Sequence, residues 1–294
     1  MVGPNKPINT NEFFVICINS LGSCFGSTSP ISINPETDEP YRLSFPVLSV
    51  EDIANAANEL LKVLDIRVLH AVIGPSMGGM SALSFCQLHP GKAKRLISIS
   101  SAARSSPFSI ALRSLQREII RNDPSWENGA YDLNGNGPIS GMRLARKLGM
   151  ITYRSAKEWS ARFGRERAME KDLKSGAFGV DFEIESYLES HANKFIGAFD
   201  PNCYLYLSRA MDLFDASDPD GNLENSFKQL KLEEALIIGV ETDLLFPISQ
   251  QAELAEALEN YVKKVRLVRL DSLQGHDSFL VDMDRFRPVI SAFI

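Results

Sequence analysis

The sequence has 294 residues and a formal net charge of −6, and apolar residues make up 44% of it. A chain of this length and composition can bury a sizeable core, as one large α/β domain or two smaller ones. The acidic balance lacks the basic footprint of a nucleic-acid-binding protein, and no apolar run approaches the roughly 20 residues that cross a bilayer.

The first part of the chain predicts strands and helices in alternation. Apolar runs at Phe13–Ile18, Val68–Ile73 and Arg95–Ser100 predict three buried strands. A helix is predicted after Ser49, which forms a capping box with Asp52, and another over Met80–Leu88. Strands that alternate with helices pair in parallel, so residues 13–104 predict a parallel sheet.

The middle of the chain predicts helices only. Amphipathic patterns lie at Ser109–Ile120, Gly141–Leu148, Ala156–Phe163 and Phe182–Phe195. Strands return at Ala235–Val240 and Val265–Leu270, with a helix over Pro247–Asn260 between them. We therefore expect an α/β core formed by residues 1–104 and 231–294, interrupted by a helical insertion at residues 105–230.

Gly74-Pro-Ser-Met-Gly78 matches the G-x-S-x-G pattern of a nucleophilic serine, because an apolar strand precedes it and a helix follows. The serine of this motif lies on a tight, strained turn, and the turn requires neighbours without a Cβ atom. Ser76 is therefore the candidate nucleophile. The amide of Met77, at the start of the helix, is the candidate oxyanion donor. A purely structural glycine–serine turn is the alternative.

A serine nucleophile needs a base and an acid, which follow it in the order Asp/Glu then His in this kind of fold. Of the four histidines, only His276 follows the last predicted strand, on the side where α/β sites lie. Asp243 and Glu241 both follow the preceding strand. Asp243 is favoured because it lies further into the loop, and Glu241 remains the alternative.

Other chemistries lack a motif. The chain has no metal-binding HExxH or paired CxxC pattern and no phosphate-binding GxxxxGK[ST], so no metal and no cofactor is expected. The basic run Arg143–Lys147 is interpreted as a solvated helix face. Four cysteines without metal-ligand spacing, and no apolar leader, predict reduced thiols and a cytoplasmic protein.

Several motifs together resemble the homoserine O-acetyltransferase family of α/β-hydrolase-fold acyltransferases. They are Asn19-Ser-Leu-Gly-Ser-Cys-Phe-Gly-Ser-Thr-Ser-Pro30, Gly74-Pro-Ser-Met-Gly-Gly-Met80, Ser114-Leu-Gln-Arg117, Ile151-Thr-Tyr-Arg154 and Gly275-His-Asp-Ser-Phe279. The insertion most resembles the serine O-succinyltransferase branch, through Arg113–Glu118, Arg143–Gly149 and Asp200–Tyr206. The resemblance implies an α/β-hydrolase fold, a mostly parallel sheet with helices on both faces and a helical lid.

The resemblance also implies a reaction. Ser76 would take an acyl group from acyl-CoA and pass it to the hydroxyl of L-serine or L-homoserine, in cysteine or methionine biosynthesis. Arg117 would hold the carboxylate of the amino acid, Asp277 its ammonium group, and Tyr153 would line the pocket. Acyl-CoA and a small amino acid are then the partners, with no nucleic acid or membrane, and a homodimer is possible in this family.

One part of the family pattern is not matched. Family members begin with further strands and a His-Ala-Leu-Thr segment that supplies a second oxyanion amide, and the sequence has no counterpart. We therefore expect a fragment, a mis-started gene model, or a protein impaired at the oxyanion hole, where the loss of one donor costs about 10²–10³ in rate. Ser23 stands where the acetyl branch of the family usually has glycine and so resembles the succinyl branches, which implies a succinyl rather than an acetyl donor. A homoserine O-acetyltransferase, a serine esterase and an inactive scaffold are the alternatives.

Overall fold

The computed structural model describes residues 1–135, 137–169 and 178–294. Its strands are β1 (Val2–Gly3), β2 (Ile8–Asn9), β3 (Ile33–Asn34), β4 (Glu39–Pro40), β5 (Leu69–Pro75), β6 (Ala93–Ile99), β7 (Glu234–Val240) and β8 (Lys264–Leu270). Its helices are α1 (Val50–Val63), α2 (Met77–Leu88), α3 (Pro107–Arg121), α4 (Ile139–Tyr153), α5 (Ala156–Phe163), α6 (Glu183–Phe195), α7 (Pro201–Leu213), α8 (Leu223–Ser226), α9 (Ile248–Glu259), α10 (Ser278–Val281) and α11 (Met283–Ser291).

The centre of the molecule is a parallel sheet of four strands in the order β5-β6-β7-β8. Helices cover both faces, because β7 is a continuous apolar run whose successive side chains point to opposite sides. Ala235 and Ile237 belong to the larger core with α1, α2 and α9, and Leu236 and Ile238 belong to the core beneath α11. The predicted α/β fold with helices on both faces is confirmed.

The capping box predicted at the start of α1 is confirmed. The Ser49 hydroxyl accepts the Asp52 N–H at 3.1 Å, and the Asp52 carboxylate accepts the Ser49 N–H at 2.9 Å. These two bonds satisfy donors that the first turn of a helix leaves without a partner, so they fix where α1 begins.

The strand predicted at Phe13–Ile18 is wrong. This segment pairs with no strand, and the side chain of Phe14 is 81% exposed. The segment runs beside β5, but a groove of about 740 Å³ separates the two, and residues 13–20 and Leu69–Ile73 line it. A strand forms only where its main chain reaches a neighbour, so the apolar composition of 13–18 is not sufficient.

The chain between β6 and β7 carries helices, as predicted. It contains α3 to α8, and α3 packs on α4 and α7 while α4 packs on α6. The bounds of α5 are those predicted from sequence, whereas α7 and α11 were not predicted. Residues 136 and 170–177, within the predicted insertion 105–230, lie outside the described residues. Across the described part of the chain, no helix combines the length and apolar character needed to cross a membrane.

Candidate active site

Ser76 lies on the tight turn between β5 and α2. Its backbone has φ 52° and ψ −124°, a strained conformation that non-glycine residues rarely adopt. The Ser76 N–H donates to the carbonyl of Ile99 at 2.9 Å, which ties the turn to β6. A Cβ atom on Gly74 would lie 2.0 Å from the carbonyl oxygen of Gly78. The turn closes only because Gly74 has no side chain, which is the reason expected from the motif.

The oxyanion donor predicted from sequence opens α2. Met77 is the first residue of the helix, and the N–H groups of a first helical turn lack partners within the helix. The positive end of the helix dipole lies at the same place. A helix N-terminus at this position favours a negative charge on a carbonyl bound at Ser76, so Met77 stays the candidate oxyanion donor.

The structure brings Ser76, Asp243 and His276 together. His276 Nε2 lies 2.9 Å from Ser76 Oγ, and His276 Nδ1 lies 2.7 Å from Asp243 Oδ2. In the tautomer that fits both bonds, Ser76 donates to Nε2 and Nδ1–H donates to the carboxylate. This is the hydrogen-bond order of a serine nucleophile, its base and the acid that orients the base.

The acid is held by its own loop. Asp243 Oδ1 accepts the N–H groups of Leu245 at 2.9 Å and Phe246 at 3.0 Å, which leaves Oδ2 for His276. Asp243 is buried, whereas the alternative acid, Glu241, is exposed. The geometry therefore supports the choice of Asp243 over Glu241.

Aromatic rings enclose the imidazole of His276. The Phe246 ring stacks on it at 5.2 Å between centroids, the Phe279 ring meets it edge-on at 5.4 Å, and the Tyr153 ring lies at 6.2 Å. Only 5% of His276 is exposed. These contacts restrict the ring to one orientation and exclude bulk water from one side of the triad.

Arg117 lies in a buried ion-pair cluster. It donates to Asp212 Oδ2 at 2.6 Å and to the hydroxyl of Ser208 at 3.0 Å. Arg113 donates to the other oxygen, Asp212 Oδ1, also at 2.6 Å. One carboxylate thus pairs with two guanidinium groups, so the three side chains together keep one positive charge.

Tyr153 and Asp277 lie where the end of the lid helix α4 meets the loop of His276. Asp277 Oδ2 accepts a hydrogen bond from Arg154 Nε at 3.1 Å. Burial raises the pKa of the Asp277 carboxyl, and the positive charge of Arg154 opposes that shift. Burial also raises the pKa of the Tyr153 phenol. The Tyr153 ring packs on His276, and Asp277 directly follows His276 in the chain.

A cleft of about 370 Å³ opens beside these residues. It is lined by Arg146, Met150, Arg154, Trp159, Tyr187, His191, Lys194, Phe195 and Asp277. The Arg146 guanidinium lies 4.7 Å from the Phe195 ring centroid and 5.8 Å from that of Tyr153, which orients it by cation–π contact. Its Nε is buried without a hydrogen-bond partner among the described residues.

Arg146 was not predicted as a site residue, because the basic run 143–147 was interpreted as a solvated face. That interpretation is wrong: Arg143 and Lys147 are partly buried and pair with Glu189 of α6, and Arg146 faces the cleft. The spacing between Arg146 and Tyr153 in the sequence could have indicated this position. Residues seven apart lie on one face of a helix, so Arg146 shares the face of Tyr153.

Within the described part of the chain, no group of three or more His, Cys, Asp or Glu side chains is arranged to hold a metal ion. The groups gathered at Ser76 are a hydroxyl, an imidazole, a carboxylate and a helix N-terminus. This set can form and break an ester or thioester bond through a covalent intermediate on serine.

Comparison with known proteins agrees with this geometry. The sequence model of the alpha/beta hydrolase fold matches residues 5–282. The chain is 53% identical to a serine O-succinyltransferase of Stenotrophomonas maltophilia and 54% identical to one of Litchfieldella anticariensis, in both cases over 100% of this chain and 80% of the relative.

Solved structures agree as well. A homoserine O-acetyltransferase from Bacillus anthracis superimposes with a TM-score of 0.88 at 27% identity, over 99% of this chain and 79% of that one. Esterase E22 superimposes with a TM-score of 0.86 at 30% identity, over 99% of this chain and 80% of that one. The chain therefore belongs to the α/β-hydrolase fold family and, within it, to the group that includes these serine O-succinyltransferases.

Proposed function

We propose that the protein is an acyl-CoA-dependent amino-acid O-acyltransferase, which moves a succinyl group to the hydroxyl of L-serine or L-homoserine. The observation that carries the proposal is the hydrogen-bonded series Ser76–His276–Asp243 in a chain more than half identical to serine O-succinyltransferases. Acyl-CoA is a co-substrate in this scheme, and the chemistry of the triad needs no further cofactor.

In the first step, Ser76 Oγ attacks the thioester carbonyl while His276 Nε2 takes the hydroxyl proton. The Met77 amide stabilises the oxyanion. Collapse of the tetrahedral intermediate breaks the C–S bond, and His276 returns the proton to the departing thiolate. Asp243 holds the imidazole in the required tautomer and stabilises its charged form. The product of this step is acyl-Ser76 and free CoA.

In the second step, the amino-acid hydroxyl gives its proton to His276 and attacks the acyl carbonyl carbon. The bond between that carbon and Ser76 Oγ then breaks, and His276 returns the proton to Ser76 Oγ. Asp277 is the proposed ligand of the ammonium group. The family resemblance implies Arg117 as the ligand of the carboxylate, but Arg117 shares Asp212 with Arg113 in an ion-pair cluster. Arg146 is the better candidate, because it faces the cleft beside Tyr153 and Asp277 without an ion-pair partner among the described residues.

Two other activities have support from solved structures. Esterase E22 and the Bacillus anthracis homoserine O-acetyltransferase have the same fold at 30% and 27% identity. An esterase passes the acyl group to water and needs no ligand for a zwitterion. The basic and acidic groups in one cleft beside the triad, Arg146 and Asp277, favour an amino acid as acceptor over water.

The test is a comparison of kcat/KM for succinyl-CoA and acetyl-CoA, each with L-serine, L-homoserine or water as acceptor. We expect succinyl-CoA with either amino acid to exceed the other combinations. The two amino acids differ by one methylene, which discriminates by only about 1–3 kcal/mol. A preference for acetyl-CoA with homoserine would make the protein a homoserine O-acetyltransferase, and a preference for water would make it an esterase.

Mass spectrometry after incubation with the donor tests the intermediate. An acyl adduct should appear on the Ser76 peptide and be absent from Ser76→Ala, while Ser81→Ala, a neighbouring hydroxyl of α2, should retain it. A cysteine adduct would contradict the mechanism. Cys86 is a poor competitor, because burial raises the pKa of its thiol to about 12.

We further propose a cellular compartment and an oligomeric state for the protein. All four cysteines are unpaired in the structure, which supports a reducing, cytoplasmic compartment. We also propose a homodimer through the helical insertion, supported by five exposed apolar side chains on α3 and α4: Phe108, Ile110, Leu115, Leu144 and Ile151. Light scattering in solution, which gives the mass of the particle, tests the dimer.

A further inference from the structure

The main-chain pairing of β7 and β8 stops just before the triad. Val240 and Leu270 are the last paired residues, and the Glu241 N–H donates to the carbonyl of Leu270 at 3.1 Å. Asp243 and His276 lie beyond this point, each on its own loop. Among the described residues, no further main-chain hydrogen bond joins the two loops.

One side-chain hydroxyl connects the loops instead. Thr242 Oγ1 donates to the carbonyl of Ser272 at 2.6 Å and accepts the N–H of Gly275 at 3.1 Å. Thr242 directly precedes Asp243, and Gly275 directly precedes His276. The hydroxyl therefore joins the residues that stand immediately before the acid and the base.

We infer that Thr242 is a positioning residue, which holds His276 at hydrogen-bonding distance from Asp243 and thereby sets the rate of acylation at Ser76. The inference rests on the role of the triad in the proposed function, but not on the identity of the donor or the acceptor.

The loop of His276 needs such a contact because of its own geometry. Gly275 has φ +64°, and a Cβ atom there would lie 2.8 Å from the carbonyl oxygen of Tyr153, so the loop is packed tightly against the end of α4. The Gly275 carbonyl accepts the hydroxyl of Ser278 at 2.6 Å. Thr242 holds the N–H side of the same residue, so both peptide groups of Gly275 are fixed.

Fixing this peptide fixes the base. The bond between His276 Nδ1 and Asp243 Oδ2 is 2.7 Å long, and a displacement of the loop by about 1 Å would break it at a cost of up to roughly 10²-fold in rate. Among the described residues, the hydrogen-bond partners of the Thr242 hydroxyl are Ser272 and Gly275, so its effect passes through the loop of His276.

The experiment uses Thr242→Val, which keeps the shape and removes the hydroxyl, and Thr242→Ser, which keeps the hydroxyl. The control is Thr152→Val, since the Thr152 hydroxyl bonds only to carbonyls of its own helix. Circular dichroism first establishes that each variant is folded. Acylation of Ser76 is then followed with p-nitrophenyl acetate as the probe, because release of nitrophenol reports the acylation step without an acceptor.

For Thr242→Val we expect the acylation rate to fall by roughly 10- to 100-fold with little change in the ester concentration that gives half the maximal rate. Thr242→Ser and Thr152→Val should stay close to the parent protein. Equal losses in Thr242→Val and Thr242→Ser, or no loss in either, would overturn the inference.

A second readout is independent of turnover. The proton on His276 Nδ1, bonded to a carboxylate, gives a far-downfield ¹H NMR resonance, which should be broadened or lost in Thr242→Val and kept in Thr242→Ser. An unchanged resonance in Thr242→Val would also overturn the inference. If the parent protein fails to acylate but the resonance responds as expected, the proposed function fails and the positioning role of Thr242 stands.

Discussion

At the scale of single residues, the two carboxylate oxygens of Asp243 have different hydrogen-bond partners. The effect of replacing Asp243 by asparagine can therefore be predicted. In Asp243→Asn the side-chain oxygen must still accept the N–H groups of Leu245 and Phe246. The NH₂ group then faces His276 Nδ1 and forces the proton onto Nε2, so the imidazole can no longer accept from Ser76. We expect kcat to fall by roughly 10³–10⁴-fold with little change in substrate binding.

Steady-state kinetics of Asp243→Asn and of Glu241→Gln measure this expectation. Glu241 is exposed and its variant should behave as the parent protein. If Glu241→Gln were nearly inactive and Asp243→Asn nearly unchanged, the acid would be Glu241 and not Asp243.

Asp277 predicts how acceptor binding depends on pH. Burial raises the pKa of its carboxyl, and only the ionised form can hold an ammonium group. The KM for the amino acid should therefore rise as the pH falls, and should begin to rise at a higher pH than an exposed aspartate would give. In Asp277→Asn the KM should be high at every pH in the range. A parallel rise in the parent and the variant would exclude Asp277 as the titrating group.

Arg146 and Arg117 should respond differently to truncation, because among the described residues Arg117 has an acid as ion-pair partner and Arg146 has none. Arg146→Met should raise the KM for the amino acid and leave that for acyl-CoA unchanged. Arg117→Met should instead lower the free energy of unfolding by about 1–3 kcal/mol, because Asp212 loses one of its two partners. Kinetics and urea unfolding of both variants separate these roles, and an exchange of the two phenotypes would restore Arg117 as the carboxylate ligand.

At the scale of elements, the first turn of α2 contains two adjacent glycines with opposite requirements. A Cβ atom on Gly79 would lie 2.5 Å from the Cβ of Ser101, whereas on Gly78 its nearest contact is Pro75 Cδ at 3.4 Å. We expect Gly79→Ala to destabilise the protein by about 1–3 kcal/mol through overpacking. Gly78→Ala should be stabilising by up to about 1 kcal/mol, because alanine favours a helix over glycine.

Urea unfolding of the two glycine variants provides the measurement, with each serving as the control of the other. A Gly79→Ala variant as stable as Gly78→Ala would mean that α2 moves away from Ser101 without cost. Close packing would then not explain the glycine at position 79.

The elements also indicate what a sequence can and cannot reveal. The strands β6 and β7 were predicted because parallel strands covered on both faces need largely apolar runs. Phe13–Ile18 has the same composition and forms no strand, because pairing depends on a neighbour that composition does not specify. α7 was overlooked although it carries an Asp200 N-cap and Pro201 in its first turn, two ordinary signals of a helix start.

The positions of the three triad residues were predictable from the sequence, whereas those of the residues that line the cleft were predictable only in part. Ser76, Asp243 and His276 each follow a strand of one parallel sheet, and the carboxyl ends of such strands meet at one edge. The side chains of the insertion have no comparable rule. Their neighbours are set by how α3, α4 and α7 pack, so the pairing of Arg117 with Asp212 and the direction of Arg146 became visible only in three dimensions.

At the scale of the whole molecule, the site is assembled from parts of the chain that are far apart. Ser76 and His276 are separated by 200 residues, and β6 reaches its neighbour β7 only across the entire insertion. Each of the three groups is supplied by a different strand end, so no isolated segment of the chain contains a working site.

The distance in sequence between Ser76 and His276 has a consequence for folding. Contacts between remote segments form late, because the chain between them must first lose its freedom. The two tryptophans, Trp126 and Trp159, both lie between β6 and β7, so fluorescence follows the local helical packing of that region. On refolding from urea we expect fluorescence to recover before the capacity to acylate Ser76 does. The interval between the two signals would time the closure of the sheet, and simultaneous recovery would show that the helices and the sheet fold as one unit.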